Sequence, residues 1–337
     1  MDDLFAARSQ MAMSLAFHIL FAAAGVAMPL LMVLAEWRWL RTGDQSYLTL
    51  TKRWSKGTAI LFAVGAVSGT VLSFELGLLW PGFMRWAGAI IGMPFSLEGF
   101  AFFTEAIFLG IYLYGWQRVS PRMHLFAGVV VAVSGAASAL FVVIANGWMN
   151  TPTGFRLENG QPVDIDPIAA MMNPAAFGQS VHMLLAAYAA TGFAVAGIHA
   201  FLLLRNNRSS FHRHALEIAL LVGGVAAIRQ ALSRSWWAWP LQIATAGVAV
   251  GAIMTLWQRR FRVARIYAAL QVTLILWGWG YAQFPYLVVA DFTIHNSAAP
   301  IVTLRLLWIA LLAGTLLLFP SFYYLYRVFK TSEAKLP

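Results

Sequence analysis

The chain has 337 residues, of which 60% are hydrophobic and only 11% are charged, and its formal net charge is +10. In soluble domains about a quarter of all residues are charged, so this composition excludes an ordinary soluble domain. The chain contains no cysteine, which excludes iron–sulfur clusters, thiolate ligands and haem attached covalently through a Cys-x-x-Cys-His motif.

Apolar runs of about 20 residues, the length that crosses a bilayer core, recur between Met11 and Phe329. They predict an all-α fold, a polytopic transmembrane bundle of about nine helices. In chain order the predicted helices cover residues 11–36, 57–80, 94–116, 123–148, 174–204, 214–233, 237–257, 263–285 and 300–328. The sequence predicts a seam near residues 233–237, where the sixth and seventh helices join. Two longer connections, 149–173 and 286–299, fall on one side of the membrane.

Basic residues concentrate on the other side, in the connections after helices one, three, five and seven and at the C-terminus. Six of the 23 lysines and arginines depart from this pattern: Arg8, Arg85, Arg156, Arg229, Arg234 and Arg305. By the positive-inside rule the N-terminus lies outside and the C-terminus lies in the cytoplasm. The basic excess thus indicates topology in the cell inner (plasma) membrane and not a nucleic-acid partner.

Five ionisable or ligating residues interrupt the apolar helices, where such side chains are costly and mark functional sites. They are His18, Glu75, Glu98, Glu105 and His182. At about 1.5 Å per residue all five fall in the outer half of the bilayer, on four different helices. Bundles build cofactor sites in this way, and imidazole is the usual axial ligand of haem iron, with a carboxylate able to take the opposite position.

Glu98 and Glu105 are seven residues apart and therefore share one helix face, which suits a proton relay toward a buried redox centre. The alternatives are a histidine that only packs and a glutamate that only bonds a neighbouring helix. The remaining histidines lie at predicted helix ends, low in helix five or in a loop, and we interpret them as interfacial or solvated: His124, His199, His212, His214 and His295.

Several short motifs follow one another over about residues 5–230. They are Arg8-Ser-Gln-Met-Ala, His18-Ile-Leu-Phe, Ser96-Leu-Glu98-Gly-Phe-Ala-Phe-Phe-Thr-Glu105, Gly115-Trp-Gln-Arg, Ala145-Asn-Gly-Trp-Met-Asn-Thr-Pro152 and Asn173-Pro, with His182 eight residues after that proline. Together they resemble subunit I of the cytochrome bd quinol oxidase family.

This resemblance implies a role for each matched residue. His18 would be the axial ligand of the oxygen-reactive haem, and His182 would ligate the low-spin haem b. Glu98 would sit beside the haem pair, and Glu105 would belong to a proton path. Further cofactor-binding residues implied by the match are Arg8, Asn146 and Trp148. The cofactor expected is haem b, with haem d as a further possibility.

The chain also departs from the family. The long quinol-binding loop, a methionine opposite the low-spin-haem histidine, a Gly-Arg-Gln-Pro-Trp segment and a late glutamate ligand are not found. Gln117 stands where the family usually has an aspartate. Glu75 stands where it often has glutamine, and could be a replacement carboxylate ligand.

The last three helices instead resemble the C-terminal part of subunit II. This likeness rests on Ala269-Leu-Gln-Val, Trp277-Gly-Trp-Gly-Tyr-Ala-Gln-Phe-Pro-Tyr-Leu-Val, Asn296-Ser-Ala-Ala-Pro and Tyr326-Arg-Val-Phe, within about residues 260–330. We therefore expect a haem-binding bundle over residues 1–233 and a three-helix tail over residues 234–337.

The resemblance implies a cytochrome bd-type terminal oxidase that passes electrons through haem to dioxygen. The donor would be quinol or another membrane donor. Two alternatives stay open. One is a haem-b electron-transfer subunit that works with a second membrane subunit or as a homodimer, and the other is a structural or gas-binding protein without oxidase activity.

Overall fold

The computed structural model describes residues 3–203, 209–231 and 239–258, together with a scattered set between 260 and 323. The helices in this part are α1 (Asp3–Thr42), α2 (Gln45–Leu79), α3 (Pro81–Tyr114), α4 (Pro121–Asn150), α5 (Pro167–Met171), α6 (Ala176–Leu203), α7 (Ser210–Ala231) and α8 (Trp239–Trp257). Short strands form two antiparallel pairs, β1 (Arg156–Glu158) with β2 (Gln161–Val163) and β3 (Tyr286–Val288) with β4 (Phe292–Thr293). The predicted all-α membrane bundle is confirmed.

Five of these helices, α1 to α4 and α6, are long and apolar enough to cross a membrane. They contain between 28 and 40 residues, or about 42–60 Å at 1.5 Å per residue, so they extend beyond a hydrocarbon core of about 30 Å. The predicted sixth and seventh helices correspond to α7 and α8. The two later predicted helices, the seam at 233–237 and His295 lie mostly or wholly outside the described residues.

Local sequence signals explain where several helices begin. The carboxylate of Asp44 accepts a hydrogen bond from the backbone N–H of Ser46 and so caps α2. Pro81 and Pro121 occupy the first turns of α3 and α4, where a missing N–H costs nothing. Ser120 caps α4 through the N–H of Met123.

Helix α1 lies in the middle of the packing, against α2, α4 and α6, while α3 packs on α4 and α6 on α7. One apolar core lies at the predicted outer end and includes Trp80, Phe83 and Trp148. A second core lies at the predicted inner end and includes Leu31, Leu50 and Tyr112. The polar residues discussed below lie on the helix interfaces that run between these two ends.

Helices α6 and α7 approach each other closely through two glycines. A Cβ added to Gly192 would lie 2.6 Å from the Cα of Gly223, which is closer than two such atoms can pack. Small residues at such a crossing let two backbones meet, as is common between membrane helices. On the surface, large apolar side chains such as Phe100 and Phe177 are exposed, as expected of a protein surrounded by lipid.

The connection between α4 and α6 contains a hairpin that the sequence analysis treated only as a loop. Strands β1 and β2 are joined by Asn159 and Gly160, both with positive φ. An Asn-Gly pair is the strongest short signal for a type I′ hairpin turn, so this feature was available in the sequence. The indole N–H of Trp86 donates to the Gly160 carbonyl and holds the hairpin against α3.

Candidate functional site

His18 lies at the interface of α1 and α2, which we call the α1–α2 seam, and its side chain is half-buried. Its Nδ1 is 2.9 Å from the hydroxyl oxygen of Ser68. That hydroxyl donates its own proton to the Val64 carbonyl, 2.8 Å away. Because only lone pairs of Ser68 remain for the imidazole, we assign the ring proton to Nδ1. The neutral ring then carries its lone pair on Nε2, the nitrogen able to bind a metal.

The backbone of α2 is shaped to accept this ring. A Cβ added to Gly69 would lie 3.0 Å from Cε1 of His18, so a larger residue would press on the imidazole. Ser68 and Gly69 together fix both the tautomer and the position of His18.

Glu75 lies on the same seam, seven residues after Ser68 on α2 and hence on the same helix face. Ser14, one turn before His18 on α1, donates its hydroxyl to Oε1 of Glu75 at 2.9 Å. The side chain is fully buried, and its Oε2 has no hydrogen-bond partner among the described residues. An unpaired buried carboxylate oxygen is costly, so this position suits a protonated carboxyl or one that binds a cation.

Glu98 and Glu105 both face α4, along what we call the α3–α4 seam, and their predicted common helix face is confirmed. Ser138 donates its hydroxyl to Oε1 of Glu98 at 3.0 Å. Glu105 is 6% exposed, and its carboxyl group packs against Gly135, where an added Cβ would lie 3.0 Å from Oε1. The two carboxyl groups therefore lie two turns apart on one interface.

His182, on α6, is more accessible than the other four residues. The five residues are thus divided between the α1–α2 seam, the α3–α4 seam and α6. Within the ranges the structure describes, no three histidine or carboxylate side chains gather to hold a bare metal ion.

The remaining predicted residues lie near the predicted outer end. Arg8 and Asn146 are half-buried, on α1 and α4. Trp148 is 1% exposed, packs beside Trp86 and Phe155, and donates its indole N–H to the Thr153 carbonyl at 2.9 Å. These contacts of Trp148 fix the connection after α4.

A second polar cluster, at the predicted inner end, was missed. Glu36, Tyr112 and His124 come from α1, α3 and α4, and each is at most 2% exposed. His124 is therefore not solvated. Glu36 was overlooked because it stands at the predicted end of helix one, where a carboxylate usually reaches water.

His199 and His212, interpreted as interfacial or solvated, are also buried and therefore not solvated. Their Nδ1 atoms are 2.9 Å apart, between α6 and α7.

His214 is half-buried beside the α1–α2 turn, with its Nδ1 2.8 Å from the Ser46 hydroxyl, which agrees with an interfacial position. There the pKa of Asp44 lies below its usual value, chiefly because the Ser46 hydroxyl donates to the carboxylate.

Comparison with known proteins gives consistent results. The family model described as cytochrome bd terminal oxidase subunit I matches residues 6–238. A Bacillus subtilis protein named as a cytochrome bd menaquinol oxidase subunit I is 40% identical over 237 residues, covering 69% of this chain and 54% of the relative. Subunit 1 of a cytochrome bd ubiquinol oxidase from the same organism is 32% identical over 234 residues, covering 69% and 50%.

The fold as a whole is similar to a chain in the structure of bd oxidase from Geobacillus thermodenitrificans. The two superpose with a TM-score of 0.86 over 98% of each chain, at 26% sequence identity. In contrast, the chain spans about half the length of the curated relatives it matches.

Proposed function

Because the chain belongs to the family of cytochrome bd terminal oxidase subunit I, we propose that it is a membrane haem protein that passes electrons to dioxygen. The observation that carries the proposal is the environment of His18. Its Nδ1 is engaged by Ser68, which leaves the lone pair of Nε2 for haem iron. Bound haem would supply the one-electron and oxygen chemistry that no side chain of this cysteine-free chain provides.

The chain's own residues would position the haem and move protons. Ser68 would orient His18 in the manner of a hydrogen-bonded partner behind a metal ligand. Glu75 is the best-placed carboxylate on the same seam, since its unpaired Oε2 suits a second ligand or a proton carrier. Arg8, Asn146 and Trp148 remain proposed cofactor-binding residues at the predicted outer end.

Reduction of dioxygen to water consumes protons, and the α3–α4 seam carries two groups able to deliver them. Glu105 is enclosed between α3 and α4, and Glu98 is held by Ser138 two turns away. We assign Glu105 to proton delivery and Glu98 to the immediate surroundings of the haem. A buried carboxyl exchanges protons only with groups in hydrogen-bond reach or through water, which favours a relay along the seam.

The electron donor would be quinol or another membrane donor, and the protein would reside in the plasma membrane with its N-terminus outside. Menaquinol and ubiquinol are named for the relatives. We further propose the two-part organisation, with a haem-binding bundle over residues 1–233 and a subunit II-like tail over residues 234–337. The haems would be haem b and, at the oxygen-reactive site, haem b or haem d.

The accessibility of His182 supports a second candidate function. A haem held by this residue would also be within reach of another chain or of a second copy of this one. In that arrangement the protein is a haem-b electron-transfer or gas-binding subunit, and its partner completes the oxidase. His182→Ala should then remove a low-spin b signal only in the assembled complex.

The optical spectrum and oxygen consumption of the purified full chain separate these functions. An oxidase predicts haem bands in the dithionite-reduced protein and quinol-dependent oxygen consumption. Haem bands of the b type without oxygen consumption would support the electron-transfer subunit. A colourless protein, expressed with ample haem supply, would refute both.

A further inference from the structure

The buried cluster of Glu36, Tyr112 and His124 takes no part in the site described above, although every polar group in it is engaged. Tyr112 donates its hydroxyl to Oε2 of Glu36 at 2.6 Å. Nδ1 of His124 lies 2.7 Å from Oε1 of the same carboxyl group. Nε2 of His124 lies 2.8 Å from the backbone carbonyl of Tyr112. The cluster joins three helices and is almost fully buried.

These distances fix the number of protons in the cluster. A carbonyl oxygen only accepts, so Nε2 of His124 carries a proton and donates it to Tyr112. Two lone pairs would repel each other at 2.7 Å, so one more proton lies between Nδ1 and Oε1 of Glu36. That proton can reside on either atom, as an ion pair or a neutral pair, without displacement of a heavy atom. The Glu36–His124 pair therefore holds one transferable proton.

The position of the cluster links it to the α3–α4 seam. Glu98, Glu105 and Tyr112 follow one another at intervals of seven residues on α3, so they lie on one face with steps of about 10.5 Å. Their contacts on α4 run in the same order, from Ser138 through Gly135 to His124. Proton-bearing groups thus span about 21 Å of this seam, starting at the predicted inner end.

Trp116 lies between the cluster and a basic side chain in the network of contacts. Its ring is 3.9 Å from that of His124, centroid to centroid. The ammonium group of Lys52, on α2, lies 5.2 Å from the same Trp116 ring. Glu36 itself makes its hydrogen bonds to His124 and Tyr112.

We infer that the cluster of Glu36, His124 and Tyr112 stores a proton at the inner end of the α3–α4 seam and supplies it to Glu105. In this step the proton leaves the Nδ1–Oε1 pair, passes along the seam through water to the Glu105 carboxylate, and leaves the pair with one negative charge. A proton from the inner aqueous side then restores the pair. This role rests on the proposed oxidase function, which sets the demand for protons.

The sharpest test is Glu36→Gln in the full chain in its native membrane complex. The amide oxygen can still accept from Tyr112, and the amide N–H can donate to Nδ1, so packing is kept while the transferable proton is lost. After an oxygen pulse to the reduced protein, haem oxidation is followed optically and proton uptake with an indicator dye. We expect proton uptake to slow by about 100-fold, with an unchanged haem spectrum.

Two further variants control for a merely structural role. Thr191→Val removes another buried hydrogen bond between helices, from Thr191 to the Ala23 carbonyl, and should leave proton uptake at the wild-type rate. Tyr112→Phe retains the ring but removes the donor that stabilises the negative charge left on the pair, so it should also slow proton uptake. It decides the matter if Glu36→Gln fails to assemble.

The outcomes separate the two proposals. Wild-type proton uptake in both Glu36→Gln and Tyr112→Phe, with intact haem bands, would overturn the storage role and leave the oxidase function standing. A wild-type protein that oxygen does not oxidise would overturn the oxidase function, and the storage role with it.

Discussion

The α1–α2 seam and the inner cluster differ in how their polar groups are paired. In the α1–α2 seam, Oε2 of Glu75 has no hydrogen-bond partner among the described residues, and we assign the lone pair of His18 to Nε2. At the predicted inner end, both oxygens of Glu36 and both nitrogens of His124 have partners within 2.8 Å. Proteins rarely leave buried polar atoms unpaired, and exceptions point to ligands or chemistry. The α1–α2 seam therefore has polar atoms left to bind a ligand, whereas all polar atoms of the inner cluster bind one another or the backbone.

From this contrast we expect the largest loss of stability for Glu36→Ala. Loss of the carboxyl group leaves His124 and the Tyr112 hydroxyl buried without their partner, which costs about 3–5 kcal/mol for a broken buried pair. Unfolding in mixed micelles of increasing denaturing detergent measures this change in the free energy of unfolding. A loss below about 1 kcal/mol would mean that the cluster is not the closed unit described above.

A smaller effect is expected for Tyr112→Phe, which removes one hydrogen bond to the carboxyl group and keeps the aromatic packing. The expected loss is about 2 kcal/mol, because a buried carboxyl oxygen is left without its donor. The same unfolding measurement tests it, with Thr191→Val as the control for a hydrogen bond outside the cluster. A loss no larger than that of Thr191→Val would argue against a special contribution of this bond.

Asp44→Ala should cost about 1 kcal/mol, because it removes the N-cap of α2 at the water-exposed end. The folded-state pKa of Asp44 is lowered, so its ionised form stabilises the fold above the ordinary value of 3.8. That contribution fades as the pH falls through the lowered pKa. The difference between Asp44→Ala and wild type should therefore shrink on acidification, and a difference that grows would contradict the cap.

The smallest effect on stability is expected for Glu75→Gln in the haem-free protein. Ser14 can still donate to the amide oxygen, and the unpaired Oε2 makes no contact that would be lost. We expect a loss below about 1 kcal/mol, because the substitution breaks no hydrogen bond. A loss as large as that of Glu36→Ala would abolish the distinction between open and closed sites.

The sequence predicted the helices and the α1–α2 and α3–α4 residues for one physical reason. His18, Glu98 and Glu105 stand in the middle of apolar runs, where ionisable groups are conspicuous. The accessibility of His182 could not be predicted in this way, because lipid-facing and interior surfaces of a membrane helix are both apolar. It depends on how α6 packs against the other helices.

The inner cluster was hidden for a different reason. Its members come from three helices, and Glu36 and His124 stand at predicted helix ends, where water usually satisfies them. The described helices continue past those predicted ends, from Asp3 to Thr42 and from Pro121 to Asn150, and the contacts among α1, α3 and α4 bury both residues. Hydropathy alone underestimates helix length wherever charged residues extend a helix into the interface.

The central claim is that His18 binds haem iron through Nε2, and the carbon monoxide difference spectrum of the reduced full chain tests it most directly. The account predicts that His18→Ala abolishes the carbon monoxide-induced change while a low-spin b signal remains. His214→Ala, the loss of a half-buried imidazole near the α1–α2 turn, should leave the spectrum unchanged. A full carbon monoxide response in His18→Ala would contradict the claim.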